Sequence, residues 1–244
     1  MTFEAVLGSG ALELGLGLGA VDLAAFRGYY ETLEAWNGVM NLTAIRGERE
    51  VAELHFLDSL ALLTLPVLRD APLGAALIDV GSGAGFPGLP LAIARRDLAV
   101  TLLDARAKRV QFLEAVAARL NLTDRVTCVH GRAEEVARLP DTRGAFDFAA
   151  ARAVSDLREL AELTLPFVRV GGYFLAMKGD GFADSEELKL AENTIHILGG
   201  EAADIVRYLI PGTDCTRCAV VIAKVADTPP EYPRKYKKLQ TKPL

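Results

Sequence analysis

The sequence predicts an α/β protein: a Rossmann-like, mostly parallel central sheet with an N-terminal helical extension. After Pro72, short apolar runs alternate with helical patterns, the rhythm of βαβ units. The first of those runs passes directly into a glycine-dense loop that opens a helical stretch. Ahead of Pro72 the apolar residues keep a helical period instead.

Over residues 21–40, Leu23, Phe26, Tyr30, Leu33, Trp36 and Met40 recur at steps of three and four, which gathers them on one face of an amphipathic helix. A second helix is expected over 51–65, ended by Pro66. The glycine-dense Leu14-Gly-Leu-Gly-Leu-Gly19 stands apart, since glycine weakens a helix. Strands are expected at 75–80, 100–103, 126–129, 146–150 and 173–177, with helical segments between them. The clearest is 106–120, where Val110, Leu113, Ala117 and Leu120 share a face. Two later runs, 202–210 and 218–225, are separated by Pro211, Gly212 and Asp214 and read as an antiparallel pair closing the sheet. The expected division is a helical extension over 1–72, a Rossmann-like domain over 73–227 and a basic tail over 228–244.

Hydrophobic residues make up 51% of the 244 positions and charged residues 24%, which is sufficient for a core and excludes a disordered chain. The start of the chain has no basic segment followed by an apolar one, and no apolar run approaches the roughly 18 residues of a membrane helix. The expected location is the cytoplasm. Three cysteines are too few, and odd in number, for a disulfide framework. Cys215 and Cys218 form a C-x-x-C without a second pair, and the three histidines are far apart, so these read as strand and turn cysteines and no metal is expected. A net charge of −5 argues weakly against a phosphate-rich partner. Its distribution matters more: from Tyr232 onward, Arg234, Lys235, Lys237, Lys238 and Lys242 face no acid, making a basic arm on an acidic body.

The strongest chemical signal is Asp79-Val-Gly81-Ser-Gly83-Ala-Gly85-Phe-Pro-Gly88. Glycines suit a tight strand-to-helix turn whose backbone a ligand must approach closely. Asp104 ends the next apolar run, where an acid meets a ribose hydroxyl in this architecture. Loop and acid together specify an adenosine cofactor without saying which. Gly83-x-Gly85-x-x-Gly88 satisfies the dinucleotide fingerprint, so an NAD(P)-dependent oxidoreductase is the alternative. Three observations disfavour it. The acid two residues before Gly81 resembles the pattern of S-adenosylmethionine (AdoMet) methyltransferases, where it faces the methionine end of the cofactor. The chain opens on helices instead of the strand, and it has no Tyr-x-x-x-Lys pair. The expected fold is the class I AdoMet-dependent methyltransferase. Gly131-Arg-Ala133-Glu134, just after a strand, would edge the adenine pocket, where a backbone amide and an acid read the base's amino group; an ordinary helix start with an early Glu is the other reading.

The fourth strand ends in Ala149-Ala-Ala-Arg152-Ala153, where many methyltransferases place acceptor-specific residues. Methylation of exocyclic amines usually shows an Asn- or Asp-Pro-Pro-aromatic turn here, and cytosine C5 methylation needs a cysteine nucleophile; neither is present. An acceptor needing neither deprotonation nor covalent help remains, and guanine N7 is such an atom. Catalysis is then mainly alignment of that nitrogen with the methyl group. Arg152 is expected to position base or cofactor; a salt bridge is the competing reading.

The chain resembles the bacterial small-subunit ribosomal RNA methyltransferase G family, also called glucose-inhibited division protein B. The matching segments are Asn41-Leu-Thr-Ala-Ile-Arg46, His55-Phe-Leu-Asp-Ser-Leu60, Asp79 to Leu91, and Asp104-x-x-x-Lys108-Arg-Val-x-Phe-Leu113. They continue with Gly131-Arg-Ala-Glu134, Ala151-Arg-Ala-Val154, Ala176-Met-Lys-Gly179 and Pro230-x-Tyr-Pro-Arg-Lys235. The resemblance implies N7-methylation of one guanine, nucleotide 527, in 16S ribosomal RNA. It implies AdoMet as cofactor, and a pocket of Gly81, Phe86, Ala133, Glu134 and Arg152 with Asp104 nearby, to which Asp79 and Gly83 add the loop. The expected partner is 16S ribosomal RNA, the 30S subunit or an assembly intermediate, met by a monomer that makes no use of a membrane.

Asn41, His55, Asp58 and Ser59 lie in the helical prelude, where polar groups three or four apart share a face. The resemblance makes Asn41 and His55 candidate catalytic residues in a lid over the methyl-donor mouth; His55 bonded to Asp58 as a structural pair is the alternative. Lys178, at a strand end, is a further catalytic candidate. Lys178, Arg234 and Lys235 are expected to contact RNA phosphates, against a plain solvated tail. An AdoMet-binding assembly factor without catalysis is the third functional reading.

Overall fold

The structure, a computed structural model, describes residues 2–152 and 155–244. Helix α1 (Phe3–Glu13) starts where the Thr2 hydroxyl accepts from the amide of Ala5 at 3.3 Å, an N-cap that satisfies one orphan donor. It presses so closely on the later helical stretch over 52–57 that a Cβ at Gly10 would run into the Leu57 side chain. The Leu-Gly repeat is the connection that follows: Gly15 turns the chain at φ +75°, while Leu14, Leu16 and Leu18 pack against the core. Helix α2 (Ala20–Met40) buries Phe26, Tyr29, Tyr30 and Leu33, the face that the 3.6 period marks, each such side chain worth about 1.5–3 kcal/mol.

The helix expected over 51–65 is instead a chain of short pieces. Helix α3 (Glu48–Val51) runs into a π-helical turn (Ala52–Leu57), then α4 (Asp58–Leu60) and a 3-10 turn (Ala61–Thr64). Pro66 does not simply stop it. Leu65 is forced to an extended backbone (ψ 126°) by the proline after it, and Pro66 opens α5 (Pro66–Arg69), where its missing N–H costs nothing.

Seven strands form one sheet in the order β3-β2-β1-β4-β5-β7-β6. They are β1 (Ala76–Val80), β2 (Ala99–Asp104), β3 (Val126–His130), β4 (Phe146–Ala151), β5 (Val168–Gly179), β6 (Gly200–Leu209) and β7 (Thr216–Lys224). The first five pair in parallel, and β7 lies antiparallel to both β5 and β6, so the late pair closes the sheet as expected. Strand β5 is longer than its apolar run because exposed residues and the Gly171-Gly172 bend precede that run; a Cβ at Gly172 would meet the Asp147 carbonyl at 2.4 Å.

Helices α6 (Gly88–Ala94), α7 (Ala107–Arg119), α8 (Ala133–Val136), α9 (Leu157–Thr164), α10 (Glu187–Ile197) and α11 (Tyr236–Thr241) complete the chain. Alternate residues of each strand enter opposite layers. Leu77, Leu102, Phe148 and Leu175 join one core with α6, α7 and the N-terminal helices. Ile78, Leu103, Ala149 and Phe174 join the other with α9 and α10. Strand order reverses between β1 and β4, and that crevice at the carboxyl ends is where open α/β sheets bind ligands. Among the described residues no helix is long and apolar enough to cross a membrane.

Candidate active site

The loop after β1 sorts its glycines by task. Gly81 and Ser82 donate to the carbonyl of Leu103 at 2.8 and 3.0 Å, which ties the turn to β2. Gly81, Gly83 and Gly85 all have positive φ, at 75°, 59° and 94°, which glycine alone adopts without cost. A Cβ at Gly85 would lie 2.6 Å from the Tyr29 hydroxyl and one at Gly88 would lie 2.4 Å from Leu102, so these two serve packing. At Gly81 a Cβ would meet nothing within 4 Å, and at Gly83 nothing closer than 3.8 Å. Of the two, Gly81 lines the cleft with bare backbone.

Asp79 lies fully buried beneath this turn. Its Oδ2 accepts from the amide of Gly88 at 2.9 Å, whereas Oδ1 is buried without a hydrogen-bond partner. The Ser82 hydroxyl donates to the Asp79 main-chain carbonyl instead. Burial pushes the Asp79 carboxyl up to about 7, against the pull of the Gly88 amide and of Arg152. A buried acceptor whose lone pairs meet no donor costs about 1–3 kcal/mol, and a cationic or N–H-bearing ligand would relieve it.

Asp104 ends β2 at 4% exposure, with Oδ2 on the Gly83 amide (2.9 Å) and Oδ1 on the Arg106 amide (2.8 Å). It therefore shapes the loop; Oδ2 also accepts from Arg109 Nη1 at 3.4 Å, and Oδ1 keeps a second lone pair for a hydroxyl. Gly81, Asp104, Ala133 and Glu134 line one cleft of about 200 Å³, together with Ser155, Glu159, Leu160, Leu163 and Tyr236. Glu134 Oε1 accepts from Arg132 Nε at 2.6 Å. No motif pointed to the wall from α9 or to Tyr236. The amphipathic pattern of 157–164 was a usable signal for the former; nothing marks Tyr236.

A second cavity, of about 440 Å³, is lined by His55, Asp58, Arg152, Met177, Lys178 and Arg217 among others. Arg152 leaves the end of β4 and reaches into the helical layer. Its Nη2 meets His55 Nδ1 at 3.0 Å, its Nη1 approaches Asp58 Oδ2 and the Leu54 carbonyl at 3.4 Å, and its guanidinium lies 4.6 Å above the Phe86 ring centre. Phe86 lines neither cavity. It is stacked between His55 (4.5 Å) and Tyr29 (5.4 Å), a platform under Arg152. Desolvation and the Arg152 charge lower His55 to about 3, so the ring is neutral. Burial raises the Asp58 carboxyl, offset in part by Arg152 and by the Tyr208 hydroxyl, which donates to Oδ1 at 2.9 Å. The His55–Asp58 pair foreseen as the structural alternative is not the bond that forms: His55 takes Arg152 and Thr43 instead, Thr43 Oγ1 lying 2.7 Å from Nε2.

Other expected residues lie elsewhere. Asn41 is exposed and ends α2 in the left-handed region (φ 48°), a backbone role open to asparagine. The amide facing inward is Asn37, which brackets Thr43 through two bonds of 3.0 and 3.1 Å. Lys178 is 8% exposed and its ammonium is already held by the Ser155 carbonyl (2.7 Å) and Glu187 (2.8 Å). Arg234 corrects the picture of a free arm: it is paired with Glu162 at 2.6 Å and turned into the body, while Lys235 remains exposed at the start of α11. Ala153 and Val154, the end of the motif after Arg152, lie outside the described residues.

The sheet order, the bare glycine turn with its buried acid, and the acid at the end of β2 define a Rossmann-like methyltransferase fold. Solved structures agree in fold. TrmN from Thermus thermophilus aligns at TM-score 0.51 and 18% identity over 71% of this chain and 53% of its own. M. jannaschii TYW2, in complex with AdoMet, aligns at TM-score 0.50 and 14% identity over 63% and 69%. The chain belongs to the rRNA small subunit methyltransferase G family, whose model matches residues 22–211. Among curated relatives of that name, the one from Acetivibrio thermocellus is 44% identical over 96% of this chain and 94% of its own. The one from Alkaliphilus metalliredigens is 42% identical over the full length of both.

Proposed function

We propose that this protein transfers the methyl group of AdoMet to N7 of a guanine, nucleotide 527, in 16S ribosomal RNA. The observation that carries the reading is the pairing of an unpartnered, buried Asp79 oxygen with the open backbone at Gly81 and Gly83. That donor set fits a cofactor with a cationic amino acid end and an adenosine end: Asp79 and Gly81 take the former, and Asp104, Ala133 and Glu134 take ribose and base. Family membership supports the ribosomal substrate. The protein acts in the cytoplasm, as a monomer, on 16S ribosomal RNA or a 30S particle.

When bound, AdoMet supplies an electrophilic methyl group. The chain's own residues then hold, orient and shield. No side chain lining the second cavity is needed as a base, because guanine N7 carries a free lone pair. His55, neutral and locked between Arg152 and Thr43, keeps the Arg152 guanidinium fixed beside that cavity. Arg152 orients the base edge through its fork of donors, and the Phe86 ring limits how far it can move. Lys178, held by Glu187, contributes positive potential near incoming phosphates.

Tritiated AdoMet offered with stripped 16S RNA and with 30S particles lacking the modification tests this, followed by mapping of the labelled base. Label at guanine 527 in either substrate is the expected result; AdoMet binding with no transfer to any RNA would favour an assembly factor, and NADH binding in its place an oxidoreductase.

A further inference from the structure

The C-terminal tail brings to the cleft a residue with no catalytic signature. Its approach is held by two arginines from the segment after α8. Arg138 donates to the carbonyls of Pro230 and Pro233 at 3.2 and 2.6 Å, and Arg143 to those of Thr228 and Tyr232 at 2.7 and 2.9 Å. Arg234 then closes on Glu162 of α9. Its Nε and Nη2 reach the two carboxylate oxygens at 2.8 and 2.6 Å, and its own amide donates to Oε1 at 2.8 Å. Glu162 is 1% exposed, so this bidentate pair is shielded from water and from salt. Leu239, at 2% exposure, anchors α11 on the far side.

Tyr236 stands two residues beyond the Arg234 anchor and lines the cleft beside Gly81, Asp104 and Glu134. The guanidinium of Arg132 lies 4.3 Å from its ring centre, and Arg132 holds Glu134 in turn. An aromatic ring at the edge of a purine-sized cleft adds stacking and dispersion that a solvated edge cannot. We infer that Tyr236 is a cofactor-positioning residue, and that the docked tail is a wall of the adenosine end of the cleft. Tail docking and cofactor affinity are then a single coupled equilibrium. The inference rests on the reading of this cleft as the AdoMet site.

Calorimetric titration of AdoMet and S-adenosylhomocysteine into the full chain and its Tyr236→Ala, Tyr236→Phe and Arg234→Ala variants tests it. Loss of the ring, or of the anchor, weakens both ligands about tenfold. The double variant Tyr236→Ala/Arg234→Ala is little worse than either single one, because both remove the same wall, and Tyr236→Phe binds as the parent does. In turnover, KM for AdoMet rises in Tyr236→Ala while kcat and KM for RNA hold. Trypsin gives a measurement on the unaltered protein: AdoMet slows cleavage at Lys237 and Lys238. Parent and Tyr236→Ala proteins binding AdoMet equally, or no protection of the tail in the parent, overturns the inference and leaves the AdoMet reading standing. A parent that binds no AdoMet removes both.

Discussion

Arg152 donates to His55 Nδ1 across 3.0 Å, and this one bond decides the chemistry of the imidazole. A guanidinium has no acceptor, so Nδ1 is the bare nitrogen and Nε2 carries the proton that goes to Thr43 Oγ1 at 2.7 Å. The ring is therefore neutral, its tautomer assigned by its neighbours, and the helical layer is fastened to the end of β4.

Arg152→Ala should cost about 3 kcal/mol of stability, since it strands the 5%-exposed carboxylate of Asp58 without its cation. Methyl transfer should fall by about a hundredfold through lost alignment. Arg152→Lys keeps the charge but not the fork and should recover stability better than turnover. Urea unfolding beside single-turnover rates separates the two; full turnover in Arg152→Ala would remove Arg152 from the proposed mechanism.

His55 makes stability pH-dependent in a known direction. Its folded value of about 3 lies below the ordinary 6.5, so the stability it contributes is present above about 6.5 and is lost as pH falls toward about 3. Between pH 6.5 and about 5 the loss approaches about 2 kcal/mol. Denaturant midpoints of the parent and His55→Gln at pH 7.5 and 5 should therefore draw together at the lower pH.

Asp79 works in the opposite sense. Its folded value is raised from 3.8 to about 7, so the stability of its protonated form is complete below about 4 and is lost as pH rises through about 7. Asp79→Asn should gain on the parent in stability over that interval while retaining the bond from Gly88. AdoMet affinity of the parent should rise as Asp79 ionises near pH 7, and that of Asp79→Asn should be weak and flat. Calorimetry at several pH values reads both slopes.

Two glycines of one loop should respond differently to alanine. Gly88→Ala drives a methyl into Leu102 and Asp79 and should cost about 2–3 kcal/mol. Gly81→Ala meets open space and pays only for φ +75°, about 1 kcal/mol, but should lose most AdoMet affinity because the proposed binding mode puts the cofactor in that space. Equal stability of Gly88→Ala and the parent would contradict the close packing of α6 on β1 and β2.

The parts of the fold that were legible in the sequence are those whose cause is local. A glycine loop after an apolar run states its own turn, and each of the seven apolar runs overlaps a strand, the central ones because both their faces are covered. The late pair announced itself through Pro211 and Gly212. Residues whose conformation is imposed from outside were not legible. The 3.6 period over 51–65 is genuine, yet packing of Gly10 on Leu57 and the contacts of His55 hold it as π, α and 3-10 pieces. Asn37 and Asn41 look alike in sequence and sit four apart, and what separates them is that α2 ends between them: Asn37 stays in the helix, whereas Asn41 caps it in the left-handed region. The tail reads as a basic arm because charge is visible in a sequence and the buried Glu162 that neutralises Arg234 is not.

The widened turn at Ala52–Leu57 holds one more residue per winding than a regular helix. Its six residues wind through about the angle that five wind through in a regular helix, so losing one would let an ordinary helix form with the pieces on either side nearly in phase. The change would be felt inside the turn, at His55, more than beyond it. This stretch is thus a reserve of slack: it takes up one unit of backbone while the segments around it keep their facing.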